Sequence, residues 1–393
     1  MQKILLSVLL AWFISSSAFA TITPGAHRLP DYLPLLKGKR VALLINQTSR
    51  IGDENLLDVL RAQNVNVVRI FVPEHGFRGT ADAGAHVASG TDAHTGLPVI
   101  SLYGAHKKPK ADDLKDVDLV VYDLQDVGVR FYTYISSLEY LMEACAENNK
   151  QLLVLDRPNP NGFYVDGPVL EPKYKSFVGM QPIPIVYGMT VGEYAKMLIG
   201  EKWVKSSGTV QLTVISCTGY DHKMTYVLPV PPSPNLKSPV AVLLYPSLCL
   251  FEGTVVSVGR GTDKPFQVWG HPSFKTALDS KRISFTPQPV TGASAPLYSG
   301  LVCYGQQPAQ TVLEAKAFIG SHIRLQPLLT AYTWCGAKPT FFNAFFEKLS
   351  GTGGLREQVA QGQTEAQIHD SWKPGVNAFK KIRKKYLLYP DFE

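Results

Sequence analysis

Long apolar runs are scarce in this 393-residue sequence. Beyond its first segment none approaches the roughly 20 residues that a membrane-spanning helix requires, which argues against an integral membrane protein. Cysteine is scarce as well. The five present, Cys145, Cys217, Cys249, Cys303 and Cys335, show no C-x-x-C spacing, so no zinc or redox motif is visible. An odd count leaves at least one thiol unpaired within the chain. No disulfide framework is expected, although one pair has room to form in an oxidising compartment. Cys145 lies among apolar helical positions and reads as core packing. No G-x-G-x-x-G follows the first strand, so nothing suggests a dinucleotide. No G-x-S-x-G is present, so an esterase reading lacks its motif. Internal repeats and low-complexity tracts are absent. Charge is thin: 39 basic against 32 acidic residues give +7 over the whole chain. The richest cluster, Lys380, Lys381, Arg383, Lys384 and Lys385, reads as a solvated helix face. Weak attraction to an anionic cell wall is compatible with it; a nucleic-acid partner is not expected of an exported chain.

What the sequence does contain begins with an export signal. Met1 to Lys3 is a short positive start, Ile4 to Ile14 is apolar apart from Ser7, and Ala18-Phe19-Ala20 has the A-x-A form of a cleavage site. No cysteine follows Ala20, so lipid attachment is not expected. The expectation is removal of residues 1–20 and soluble export to the periplasm or beyond, without a membrane anchor.

The first half then alternates apolar strands with helical patterns. Strands are expected at Val41–Ile45, Val67–Val72, Pro98–Leu102, Asp118–Tyr122 and Leu152–Leu155. Between them, Asn55–Gln63 carries Leu56, Leu57 and Leu60 on one helical face. Tyr134–Asn148 carries Leu138, Leu141, Met142 and Cys145 on another. Near-continuous apolar strands separated by helices imply a parallel sheet covered on both sides. The expected fold class is α/β, a Rossmann-like, doubly wound, mostly parallel sheet with a smaller C-terminal α/β domain. Thr190-x-x-Glu193 and Thr364-x-x-Gln367 are capping boxes that open later helices. Leu212–Ile215 reads as a strand of the second domain, and Pro229–Pro239 as a loop crossing the surface. The boundary is placed near residue 205, giving a catalytic domain at 21–205 and a smaller domain at 206–393.

In open parallel sheets the ligand crevice lies outside the carboxyl ends of the strands. Polar residues gather there in this sequence. The second strand leads to Glu74, His75 and Arg78. The fourth leads to Asp123, Gln125, Asp126 and Arg130, followed by Tyr132 and Tyr134. The fifth leads to Asp156, Arg157, Asn159 and Asn161. Singly, each has a structural reading: Glu74 as a turn cap, Asp123 and Asp156 as loop anchors, Arg130 and Arg157 as their partners. Together they favour a cleft for a polar, ring-shaped, partly anionic ligand. His86, Asp92 and His94, with Asp82 nearby, raise a metal, but their spacing matches no H-x-x-x-H helix and no metal is expected.

The same residues carry a family resemblance. Phe71-Val-Pro-Glu-His-Gly-Phe-Arg-Gly79, Thr95-Gly-Leu-Pro-Val-Ile-Ser-Leu-Tyr-Gly104, Asp123-Leu-Gln-Asp-Val-Gly-Val-Arg-Phe-Tyr-Thr-Tyr134 and Leu155-Asp-Arg-Pro-Asn-Pro160 are four of the blocks. Pro232-Ser-Pro-Asn-Leu236, Tyr245-Pro-Ser-Leu248, Phe251-Glu-Gly-Thr254, Gly259-Arg-Gly-Thr262 and Tyr386-Leu-Leu-Tyr389 continue them. Over about Leu35 to Phe392 the chain resembles the exo-β-N-acetylmuramidase (NamZ-like) family, long catalogued as a domain of unknown function. The resemblance implies an exo-acting glycosidase. Such an enzyme removes N-acetylmuramic acid (MurNAc) from the non-reducing end of peptidoglycan fragments, with MurNAc-GlcNAc saccharides as partners. It makes Glu74 the leading catalytic candidate, and the place of Glu74 just after a buried strand, near other carboxylates, makes it the expected proton donor. His75, Arg78, Asp123, Gln125, Asp126, Arg130, Tyr132, Asp156, Arg157, Asn159 and Arg260 become substrate-binding candidates. The Asp123/Asp126 pair is expected to position or stabilise the sugar, and the arginines to hold its lactyl carboxylate. No cofactor, nucleotide or flavin is implied. Ala85 departs from the family pattern, which carries an acidic residue there. The alternative from another class is a non-catalytic binder of cell-wall muropeptides or amino sugars using the same cleft.

Overall fold

The computed structural model describes residues 21–79, 81–82, 89–276 and 283–393. The expected export segment, the His86 ligand and the Ala85 departure lie outside the described residues. The first half builds one seven-stranded sheet. Its strands are β1 (Val41–Ile45), β2 (Val67–Val72), β3 (Gly90–Thr91), β4 (Pro98–Ser101), β5 (Leu119–Asp123), β6 (Gln151–Leu155) and β7 (Gln211–Ile215). The spatial order is β3-β4-β2-β1-β5-β6-β7, parallel throughout except for the short β3 edge. The chain works outward from β1 on one side, then returns to β5 and works outward on the other. The strand order therefore reverses between β1 and β5, and this is where a doubly wound sheet opens its crevice.

Alternation within the strands separates two apolar layers. Val41, Leu43, Ile45, Ile70, Val72, Val121 and Leu153 face α1 (Leu56–Ala62) and its neighbours. Ala42, Leu44, Phe71, Val120, Tyr122, Leu152 and Val154 face the other way. That second layer is covered by α2 (Tyr134–Glu147) and α3 (Val191–Gly200). It runs without a break into the second half, through α4 (Pro239–Leu248), Phe251, Trp269 and Phe274 to α5 (Glu365–Arg383). A small antiparallel sheet in the order Trp269–His271, Cys303–Gln306, Ile283–Phe285 completes that half.

Two expectations change here. The sheet does not end at residue 205. Gln211–Ile215 pairs in parallel register with Gln151–Leu155, from Gln211 opposite Gln151 to Ile215 opposite Leu155. A lone apolar strand after an irregular stretch gives no sign of its partner. Nor does Pro229–Pro239 simply cross the surface. Its Pro232 carbonyl accepts from the Tyr132 hydroxyl at 2.8 Å, and Ser233, Asn235 and Leu236 are buried. All five cysteines are free thiols, four of them buried. Among the described residues no helix is long and apolar enough to cross a membrane.

Candidate active site

Outside the carboxyl ends of β2, β4 and β5 lies a cavity of about 550 Å³, the size of a small-ligand pocket. Glu74 and His75 reach it directly after β2, Tyr103 after β4, and Tyr132 and Thr133 between β5 and α2. The opposite wall comes from the second half: Ser233, Asn235, Tyr245, Glu252, Arg260 and Phe266. Both halves are needed to enclose it.

Glu74 is half-buried, and its Oε2 accepts a hydrogen bond from the Thr133 hydroxyl at 2.8 Å. Thr133 is the N-cap residue of α2, yet its side chain makes no capping bond to the helix. Threonine at that position ordinarily caps, with a contribution of about 1 kcal/mol. Here the hydroxyl is turned to the carboxylate instead. Tyr103 offers a second hydroxyl to Glu74. Burial, and then the carboxylate beside it, raise the Tyr103 pKa well above its usual value, so it stays a donor. His75 has a left-handed backbone, φ 70°, a conformation that is uncommon outside glycine and clusters at functional sites. Its Nδ1 lies 2.6 Å from the Ala81 carbonyl, which can only accept. Nδ1 therefore carries a proton and donates it to that carbonyl.

Across the cavity Arg260 donates from Nε to Glu252 Oε1 at 2.5 Å and lies 5.1 Å from the centre of the Phe266 ring. Burial works against its charge, but Glu252 more than offsets this, and the Arg260 pKa is raised. Asp82 takes the Ser294 amide at 2.7 Å and the Ser294 hydroxyl. These bonds hold its pKa below the usual carboxylate range. Tyr132, Tyr245, Phe131 and Phe266 give the wall its aromatic surface, with Tyr132 and Tyr245 edge to face at 6.1 Å.

Of the expected site residues, Glu74, His75, Tyr132 and Arg260 meet in this cavity. The others do not reach it. Asp123 and Arg157 form a buried two-point ion pair, 2.5 Å from Nε and 2.8 Å from Nη2. Asp126 takes the Gly128 amide and the Tyr187 hydroxyl, and burial raises its pKa to about 7. Gln125 donates to the carbonyls of Asp126 and Pro158. Arg130 is fully buried and donates to the carbonyls of Pro168, Ile183, Leu349 and Ser350, tying the two halves together. Burial lowers its pKa to about 9. Asp156 is bound by Thr190, Tyr389 and the Gly192 amide; burial raises its pKa to about 6 despite those donors. Asn159 donates to the Met189 carbonyl and lies against Gly128, whose φ of 76° and contact with the Asn159 amide leave no space for a side chain. Arg78 is exposed beside Phe77, off the cavity wall. The Asp123/Asp126 pair thus organises loops and does not face the ligand space. A strand-end position fixes where a residue emerges, not whether its side chain turns outward or back into the protein.

Sequence reasoning gave no role to Tyr103, Thr133, Ser233, Asn235, Tyr245 or Glu252. The signal was present: all six lie inside the ordered blocks quoted above. What the blocks lack is any indication that the second half closes over the first.

Fold and cavity together define an α/β protein that presents a braced carboxylate, an ion pair and an aromatic wall to a polar ligand. Comparison with known proteins narrows this. Residues 41–240 match the family model for Exo-beta-N-acetylmuramidase NamZ, N-terminal, and residues 243–389 the corresponding C-terminal model. The chain belongs to that family. Peptidoglycan beta-N-acetylmuramidase NamZ of Bacillus subtilis (strain 168) is 40% identical over 376 residues, covering 92% of this chain and 89% of the relative. Two solved DUF1343 family proteins of Bacteroides fragilis share the architecture. One is 46% identical with a TM-score of 0.85, the other 31% identical with a TM-score of 0.76. Each comparison covers 94% of this chain and 99% of the other.

Proposed function

We propose that this protein is an exo-acting β-N-acetylmuramidase that releases MurNAc from the non-reducing end of peptidoglycan fragments, with Glu74 as its general acid. Family membership supplies the reaction class. The observation that carries the assignment to Glu74 is the turned Thr133 hydroxyl, which braces this carboxylate on the cavity wall in place of capping its own helix. Glycoside hydrolysis requires a carboxylic acid to protonate the departing oxygen and a means of stabilising the oxocarbenium-like centre. Glu74 donates the proton, while Thr133 and Tyr103 fix the orientation of its carboxyl group. On the facing wall Arg260, held by Glu252, is placed to attract the lactyl carboxylate of MurNAc. Tyr132, Tyr245 and Phe266 offer ring faces to the sugar. The A-x-A pattern ending at Ala20 supports action outside the cytoplasm, and N-terminal sequencing of the mature protein checks this by reading a start at Thr21.

The test is hydrolysis of a chromogenic β-N-acetylmuramide and of a MurNAc-GlcNAc disaccharide. Glu74→Gln keeps size and hydrogen bonding but removes the proton. It is expected to lower turnover by roughly a hundredfold or more, the scale of lost acid catalysis, with folding and ligand binding retained. Failure of the wild-type protein to release product from either substrate ends the proposal. Calorimetric binding with the saccharide intact after long incubation replaces the enzyme with a binder.

A further inference from the structure

Away from the cavity, three side chains from distant parts of the chain point at one spot. Asp166 lies in the first half, His322 follows a helix of the second half, and His369 is on α5. None of them lines the cavity. One donor atom from each lies within 4.8 Å of the other two. His369 Nδ1 is 3.4 Å and His322 Nδ1 3.7 Å from the same oxygen, Asp166 Oδ2.

These separations are informative. A charge-assisted hydrogen bond between imidazole and carboxylate closes to about 2.7–2.9 Å, and neither contact does so. Ligands about 2.1 Å from a tetrahedral metal ion stand about 3.4 Å apart. The spacing is that of groups around an ion.

The neighbours fit the same account. His369 Nε2 is 2.9 Å from the Ile323 carbonyl. That carbonyl takes the Nε2 proton, which leaves Nδ1 as the ring atom turned toward Asp166; burial works against the charged ring, but the Asp166 carboxylate more than offsets it and the His369 pKa is raised. The Ile323 amide, in turn, donates to Asp166 Oδ2 at 2.7 Å and occupies one lone pair of that oxygen. A backbone carbonyl fixing the imidazole tautomer and a backbone amide orienting the carboxylate are the outer partners that metal ligands ordinarily have. Asp166 is buried, His369 half-buried and His322 exposed, so the spot is reachable from solvent and leaves a side open to water.

We infer that Asp166, His322 and His369 form a binding site for a divalent transition-metal ion. Two imidazoles and one carboxylate are a borderline donor set, suited to zinc and, in vitro, to cobalt. The ion joins three segments that are 156 and 47 residues apart in the chain (322 − 166 and 369 − 322). It acts as a staple between the two halves and not as part of the sugar chemistry. The expectation that catalysis needs no metal is unaffected.

The experiment uses the whole mature chain without a histidine tag, stripped with a chelator and dialysed. Zinc chloride is titrated in by calorimetry, and the melting temperature is followed with and without the ion. One zinc per chain and a higher melting temperature are expected, with visible absorption bands of four-coordinate geometry when cobalt(II) replaces zinc. His322→Ala removes an exposed side chain, so the fold is retained. It should weaken zinc binding by roughly tenfold or more and abolish the thermal shift. His369→Gln, which keeps a polar group at that position, should do the same. Muramidase turnover measured well below the melting temperature should be unchanged by His322→Ala or by the chelator. No zinc binding by the stripped wild type, or binding undiminished in His322→Ala, overturns the site. Loss of turnover on chelation, restored by zinc, overturns the staple role.

Discussion

Asp123 and Arg157 show why residue identity at a strand end has to be read with its surroundings. Their side chains are 0% and 4% exposed and bonded at two points. Removing one partner of such a pair leaves a buried charge without compensation, at about 3–5 kcal/mol. Asp123→Asn is therefore expected to cut stability by about that amount, read as a lower urea midpoint, while turnover per folded molecule stays near wild type. Abolished turnover in a stably folded Asp123→Asn protein returns Asp123 to the chemistry. Glu139 on α2 makes a pH-dependent contribution of opposite kind. Burial pushes its pKa up to about 7 against the Gln181 amide and Lys175. The folded protein then holds a proton that the unfolded chain, with an ordinary carboxylate, has released. The folded state binds more protons between about pH 4.5 and pH 7, so stability falls as pH rises through that window. Glu139→Gln should flatten this slope. Urea midpoints at about pH 5 and pH 7 measure it, and an unchanged slope removes Glu139 as its source.

At the scale of elements, periodicity and caps were the legible part of the chain. β1, β2, β4, β5 and β6 stand where apolar runs place them, and the boxes at Thr190 and Thr364 open α3 and α5. β3 was not legible: two exposed residues, Gly90 and Thr91, carry no apolar pattern to read. The basic cluster near the C-terminus was half legible. Lys380 and Lys385 reach Glu393 and Glu201 at the surface, but Arg383 is fully buried against the Gly188 carbonyl and Asp391. Helical spacing puts one side of α5 inward, whatever residue stands there. The two capping boxes also differ in a way that sequence hides. Thr364 caps an exposed helix end and nothing more. Thr190 caps α3 and also donates to buried Asp156 at 2.7 Å. Thr364→Ala is expected to lose about 1 kcal/mol. Thr190→Ala adds the loss of a donor to a buried carboxylate and should lose about 2–4 kcal/mol. Paired denaturation curves decide this, and equal losses refute the second role.

Over the whole molecule the last residues complete the first half. Tyr389 donates to Asp156 at 2.5 Å and accepts from the Cys217 amide at 2.8 Å, while the Leu388 amide donates to Glu193 at 2.8 Å. Near the start of the described residues, the Gly25 amide reaches the same place and donates to the Asp156 carbonyl at 2.8 Å. Tyr389→Phe leaves Asp156 and the Cys217 amide each short of a partner, so a loss of about 1–3 kcal/mol is expected. It should appear as one cooperative transition at lower urea, because both halves share one apolar layer; a separate early transition of the second half would contradict this. The closure also sets an order in time. Cys217 and the residue that satisfies its amide are 172 positions apart. At about 5–20 residues per second a ribosome takes about ten to thirty seconds to deliver the second after the first. For that interval the sheet is without its final bonds, and the fold locks only once the C-terminal residues have been made.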